Sequence, residues 1–169
     1  MTLRFGILTI SDRSARGERP DASGPVLVEA VTATSWLVVE TGIIPDDMET
    51  IRQKLVDWAD SNRFDVVLTT GGTGFAPRDV TPEATRQVIE RFTPGLDEVM
   101  RTTSFRVTPH AMLSRAISGI RKQTLIINLP GSPKGALENF QVVIPVLAHA
   151  IELLHEDPRA EKGHLASNP

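Results

Sequence analysis

The sequence predicts an α/β fold whose sheet is largely parallel and covered by helices on both faces. Three observations carry that prediction. Apolar runs at residues 5–10, 37–44, 65–70 and 124–129 read as strands, and the near-continuous ones fit a sheet buried on both faces. Segments with helical spacing of apolar residues lie between them, so strands alternate with helices. Small, turn-forming or acidic residues follow each strand, at the end where such sheets bind ligands.

Taken in order, the first strand (FGILTI) stops at Ser11-Asp12, and residues 11–25 (SDRSARGERPDASGP) combine Gly, Pro, Ser and charge as a loop. Leu27, Ala30, Val31 and Thr34 then fall at helical spacing, before the strand at 37–44. Met48, Ile51, Leu55, Trp58 and Ala59 trace one face of a helix, and residues 65–70 (DVVLTT) are the clearest strand. The stretch GGTGFAPRDVTPEA turns and begins a helix, with Thr81 as N-cap, Pro82 at its first position and Glu83 in its first turn. Ala84, Val88 and Phe92 continue that helix to Pro94-Gly95, and a further helix is expected over 96–103. Residues 124–129 (TLIINL) form the last strand, closed by PGSPKG. A long helix covers 136–156, bent or broken at Pro145. One domain over residues 1–156 and a frayed tail over 157–169 complete the organisation.

Composition narrows the function classes. The chain has 169 residues, 40% hydrophobic and 23% charged, and no cysteine. A chain of this length buries about 70% of its unfolded surface without metal or disulfide. Absent cysteine excludes disulfide scaffolds, cysteine-ligated zinc, iron–sulfur clusters and thiolate nucleophiles. The four histidines show no paired metal-ligand spacing on one helix. A net charge of −3 and few aromatic residues argue against nucleic acid as the main partner. No apolar run approaches the ~20 residues that span a bilayer, and the N-terminus has no secretory pattern, so a cytoplasmic protein away from membranes is expected.

The chemistry concentrates at the strand ends. Thr70 leads into Gly71-Gly72-Thr73-Gly74, whose bare backbone N–H groups suit a phosphate or nucleotide ring, or simply a tight turn. The loop is neither a P-loop nor a G-x-G-x-x-G fingerprint, which disfavours a nicotinamide oxidoreductase. Asp46 and Asp79 are each open to two readings. Asp46 suits an N-cap completed by Glu49, and Asp79 suits the helix dipole; alternatively both face a polyphosphate through a hard cation such as Mg²⁺. Ser11, Asp12, Pro130, Gly131 and Ser132 border the same rim, Ser132 also suiting an N-cap. Lys134 is a phosphate contact or a solvated charge, and Ser114-Arg115 an anion site or a loop salt bridge. No Ser–His–Asp triad is assignable.

Together, GILTISDR, IPDD, TTGGTGFAPRDVTPEAT, PGLDEVMR, MLSRAISGIR and TLIINLPGSPKG closely resemble the molybdopterin adenylyltransferases. These are the bacterial MogA family and the G domains of gephyrin-type molybdenum-cofactor proteins. The motifs span about residues 5 to 155, and TGGTG followed by PRDVTPEA is the most specific. The resemblance implies a three-layer α/β/α fold, commonly trimeric, that transfers AMP from ATP to molybdopterin with Mg²⁺. It implies Asp46 and Asp79 as the essential acids and metal ligands. Around pterin and phosphates it implies Ser11, Asp12, Thr70, the GGTG loop, Ser114, Arg115, Pro130, Gly131, Ser132 and Lys134. The extra charge of SARGERPD departs from a fixed family pattern and receives no catalytic role. A molybdenum-insertion protein is an implied partner. The alternative is a MoaB-like or scaffold molybdopterin binder without significant transferase activity.

Overall fold

A computed structural model describes residues 1–156; the tail expected over 157–169 lies outside the described residues. The chain runs β1 (Arg4–Ile10), α1 (Asp12–Ala15), α2 (Ser23–Ala33), β2 (Leu37–Ile44), α3 (Met48–Asp60) and β3 (Val66–Thr70). It continues as α4 (Thr81–Val88), β4 (Arg91–Phe92), α5 (Pro94–Phe105), a 3₁₀ turn (Pro109–Leu113), β5 (Ser118–Arg121), β6 (Thr124–Leu129) and α6 (Pro133–Leu154). One six-stranded sheet has the order β2-β1-β3-β6-β5-β4. The first four strands of that order are parallel, whereas β5 and β4 add an antiparallel flank.

Alternation along the strands sends neighbouring side chains to opposite cores. Phe5 and Ile7 of β1, Val66 and Leu68 of β3, and Leu125 and Ile127 of β6 pack with α2, α5 and α6. Leu8, Val67 and Ile126 face α3 and α4 with Ile51, Leu55, Trp58 and Val88. These two cores make the three-layer α/β/α arrangement, and they explain why the central strands read as unbroken apolar runs.

Several boundaries differ from the sequence reading for physical reasons. The helix begun at Thr81 stops at Val88 instead of reaching Phe92, because Ile89 adopts extended backbone (φ −72°, ψ 142°) and Glu90 N–H bonds the Ile120 carbonyl. Phe92 then sits in β4, exposed and beneath the Arg86 guanidinium. Strand β5, weakly apolar and only four residues long, pairs back on β6 through Lys122-Gln123, with Lys122 at φ +50°. Val80, not Thr81, is the N-cap of α4.

Helix α6 continues through Pro145 without a break, carried by the buried side chains Ala136, Phe140, Val143, Leu147 and Ile151 on one stripe. Although the sequence has no uninterrupted apolar run of bilayer length, α6 is long and apolar enough to cross a membrane by length and composition (mean hydropathy 1.4). Its apolar stripe is used against the sheet. Phe140 meets Phe5 edge-on at 6.0 Å between ring centroids, and Phe5 stacks on Trp36 at 5.4 Å. Phe140→Ala should therefore cost about 3–5 kcal/mol of unfolding free energy, read from the urea midpoint.

Candidate active site

After β1 the chain goes to β2 on one side and returns to β3 on the other, which makes the β1/β3 boundary a topological switch point. A cleft of about 920 Å³ opens there over the carboxyl ends of the parallel strands. Its lining includes Ser11, Asp12, Asp46, Thr70, Gly71, Gly72, Asp79, Gly131 and Ser132, all drawn from the residues singled out in the sequence.

The floor is built from interlocked acids. Asp46 Oδ2 accepts the Asp12 N–H at 2.8 Å, and Asp12 Oδ1 accepts the Asp46 N–H at 3.0 Å, so the ends of β1 and β2 hold each other. The N-cap of α3 is Asp47, which accepts Thr50 N–H at 2.9 Å and its hydroxyl at 2.6 Å. Asp46 is thereby released from capping, contrary to that reading of the IPDD doublet. Burial pushes the Asp46 carboxyl above its ordinary value, and the Asp12 and Asp79 charges add to the rise. The Asp12 N–H and the Arg78 charge oppose it.

Asp79 Oδ2 accepts Ala76 N–H at 2.9 Å and so closes the loop that presents it, rather than capping α4. One oxygen each of Asp12, Asp46 and Asp79 makes no hydrogen bond among the described residues. The described residues hold no cluster of three His, Cys, Asp or Glu spaced to bind a metal by themselves. Three carboxylates lining one cleft, each with an oxygen to spare, fit a Mg²⁺ whose remaining ligands come from phosphates and water.

The glycine loop hangs from its surroundings. Gly71 has φ +107°, and a Cβ there would collide with the Ile10 carbonyl oxygen. Thr81 Oγ1 donates to the Gly71 carbonyl at 2.9 Å, and Thr81 N–H to that of Gly72 at 3.1 Å. Thr70 Oγ1 donates to the Pro130 carbonyl at 2.7 Å, joining the loop to the PGS turn. Ser132 caps α6 by accepting Gly135 N–H at 3.2 Å, with Pro133 opening the helix.

Six of the expected residues do not line the cleft. Arg115 faces the back of the glycine loop, where it bonds the carbonyls of Gly74 and Asp79 and the Glu83 carboxylate. Its guanidinium is thus committed to a loop salt bridge. Thr73 is held there by its carbonyl, which accepts Arg115 N–H at 2.9 Å. At Gly74 the missing side chain leaves room for Asp79 Oδ2, which a Cβ would approach to 2.8 Å. Ser114 and Pro130 border a separate small cavity beside Asp97, Arg101 and Asn139. Lys134 is solvent-exposed and lies 3.8 Å from Glu138 one turn along.

Conversely, the cleft contains groups that the sequence reading set aside. Arg13, Arg16, Arg19 and Arg78 line it, three of them from the 11–25 segment. That segment is ordered by Asp21, which accepts the Thr9 hydroxyl at 2.6 Å and the Ser23 and Gly24 N–H groups at 3.1 Å. A carboxylate ahead of Ser-Gly-Pro is the signal that could have shown this tether.

The fold and cleft define an α/β protein with a charge-rich ligand site at its switch point. Residues 6–149 match the model of the probable molybdopterin binding domain, and the chain belongs to that family. Gephyrin of Dictyostelium discoideum is 44% identical over 165 residues, covering 92% of this chain and 23% of its own length. The molybdopterin adenylyltransferase of Escherichia coli K12 is 46% identical over 144 residues, covering 84% and 74%. This chain therefore spans about a quarter of gephyrin and most of the bacterial relative. Among solved structures, the molybdopterin biosynthesis enzyme MoaB of Thermus thermophilus superposes with a TM-score of 0.87 at 48% identity, covering 93% of this chain and 99% of its own.

Two expectations follow from the geometry. Gly71→Ala should destabilise the protein by more than about 1 kcal/mol, seen as a lower denaturation midpoint, since a Cβ meets both strain and backbone there. In the small cavity, burial pushes the Asp97 carboxyl above its ordinary 3.8 despite the Ser118 hydroxyl bond. Its protonated form thus contributes stability that is complete below pH 3.8 and is lost as pH rises through the raised folded value. Asp97→Asn, which still accepts the Ser118 hydroxyl, should be more stable than wild type at pH 7. That gain should disappear in denaturation curves below pH 3.8.

Proposed function

We propose that this chain is a molybdopterin adenylyltransferase of molybdenum-cofactor biosynthesis. It transfers AMP from ATP to the terminal phosphate of molybdopterin and releases pyrophosphate. The observation that carries the reading is the shared floor of Asp12, Asp46 and Asp79, with Asp46 freed from capping by Asp47. In the reaction a phosphate oxygen of molybdopterin forms a bond to the α-phosphorus of ATP, while the bond from that phosphorus to the bridging β-oxygen breaks. The nucleophile arrives ionised, so no side-chain nucleophile is needed. The protein's contribution is alignment and charge compensation.

Asp46 and Asp79, with Asp12 beside them, are the residues that would hold Mg²⁺. Bound there, the ion neutralises charge on the reacting phosphates. The glycine loop lies against the nucleotide, and the PGS turn at the start of α6 offers Ser132 and a helix N-terminus to a phosphate. The bacterial relative named for this activity, 46% identical, supports the reading.

The same reading includes a soluble, cytoplasmic homotrimer that hands its product to a molybdenum-insertion protein. Exposed Val99, Phe105, Val107, Met112, Leu113 and Val146 on α5, the 3₁₀ turn, the link between them and α6 offer apolar surface for association. The second reading is a MoaB-like molybdopterin binder without appreciable transfer; the 48% identity to the Thermus MoaB supports the likeness to MoaB.

Incubation with molybdopterin, ATP and Mg²⁺, followed by mass detection of the adenylylated product, separates the two. Wild type should form product only when Mg²⁺ is present; no product in the complete mixture would leave the binder. Asp79→Asn and Asp46→Ala should lower turnover by orders of magnitude while the protein stays folded. Asp47→Ala should show the reverse, losing about 1 kcal/mol of stability with turnover retained.

A further inference from the structure

The guanidinium groups on the cleft fall into two sets. Arg78 adjoins Asp79 in sequence, and its charge acts on Asp46, so it belongs to the acid floor. Arg13, Arg16 and Arg19 come from the segment between β1 and α2. That segment is a built wall, not a loose loop. Ser11 Oγ accepts Ser14 N–H at 3.2 Å, Glu18 N–H donates to the Arg13 carbonyl at 2.9 Å, and Asp21 ties the far end to Thr9 and α2.

Arg13 and Arg19 have no ion-pair partner among the described residues, and Arg16 has only Glu18, at 2.6 Å with both side chains more than half exposed. A pair that exposed is weak and readily exchanged for a better anion. Apart from Arg78, these are the cationic side chains that line the cleft, since Lys134 and Arg115 are engaged elsewhere.

We propose that Arg13, Arg16 and Arg19 form the subsite for the β- and γ-phosphates of the nucleotide and hold them as they leave as pyrophosphate. The inference rests on the adenylyl-transfer reading. In-line displacement needs separate places for the attacking and departing oxygens. Besides the acid floor and the glycine loop against the nucleotide, the cleft offers anions the N-terminus of α6 with its neutral Ser132, and the arginine wall. Departing pyrophosphate takes the electron pair of the broken bond and carries the larger charge. Planar guanidinium forks match phosphate oxygens in pairs, which a helix end does not. The greater charge therefore belongs with the arginines, and Glu18 serves as a stand-in anion that pyrophosphate displaces from Arg16.

The test is calorimetric titration of inorganic pyrophosphate with Mg²⁺, and separately of AMP, into the full chain. R16Q/R19Q should weaken pyrophosphate binding by about tenfold or more and flatten its salt dependence, with AMP affinity unchanged. Glu18→Gln, which removes the competing anion, should tighten pyrophosphate binding. Circular dichroism checks that these surface variants are folded. Equal losses for AMP and pyrophosphate would overturn the assignment. So would pyrophosphate affinity unmoved in both variants, or no pyrophosphate binding by wild type. Failure of the transferase reading appears elsewhere, as a wild type that forms no adenylylated product.

Discussion

The exchange of backbone hydrogen bonds between Asp12 and Asp46 is the constraint on which the site depends. Each carboxylate accepts the other residue's N–H, at 2.8 and 3.0 Å, and the two residues lie just past the ends of neighbouring parallel strands. Two negative groups are thereby held close where water is partly excluded, and burial registers the cost at Asp46. Such an arrangement is stable because each carboxylate is hydrogen-bonded, yet it leaves uncompensated charge directed at the cleft. Charge of that kind fits a cation carried in with a phosphate ligand better than a permanently filled metal centre.

Everything else at the site is rigid support for that floor. The glycine loop is fastened from α4 by Thr81 and from behind by Arg115, and the PGS turn is fastened to it by Thr70. Below them Asn128 donates to both Thr69 and Thr85, at 2.9 and 3.0 Å, linking β6, β3 and α4 through a buried polar trio. Residues next to one another in the motifs therefore divide between lining the cleft and holding the ones that do, as Gly71 and Thr73 do.

That division explains what was legible in the sequence. The four parallel strands were readable because both sheet faces are buried, which makes their apolar runs nearly continuous. Strands β4 and β5 were not, being short and joined to their neighbours without a turn dipeptide. Of the cleft, Ser11, Asp12, Asp46, Thr70 with Gly71 and Gly72, and the Gly131-Ser132 corner follow strand ends, whereas Asp79 needs the motif resemblance. Motif adjacency cannot tell which side of a loop a side chain takes: Arg115, Ser114 and Lys134, expected near ligand, lie outside the lining of this cleft. An acidic doublet likewise hides which member caps the helix, a question of backbone geometry at Asp47. Arg16 and Arg19 of the 11–25 segment have no place in the family motifs, and only the folded segment, tethered by Asp21, shows that they line the cleft.

The strand order also bears on how the chain avoids its own copies in the wrong register. One border of the sheet is β4, only two residues long and too short to template a foreign strand. The other border, β2, has eight residues with Leu37 and Ile43 exposed, and could recruit one. Midway along it Glu40 is bonded to Lys54 at 3.1 Å and Arg63 at 3.0 Å, a charged knot fixed to the helical layer. Charge held on an edge strand disfavours pairing with a foreign strand, so these three side chains, remote from the cleft, guard the border that length leaves open.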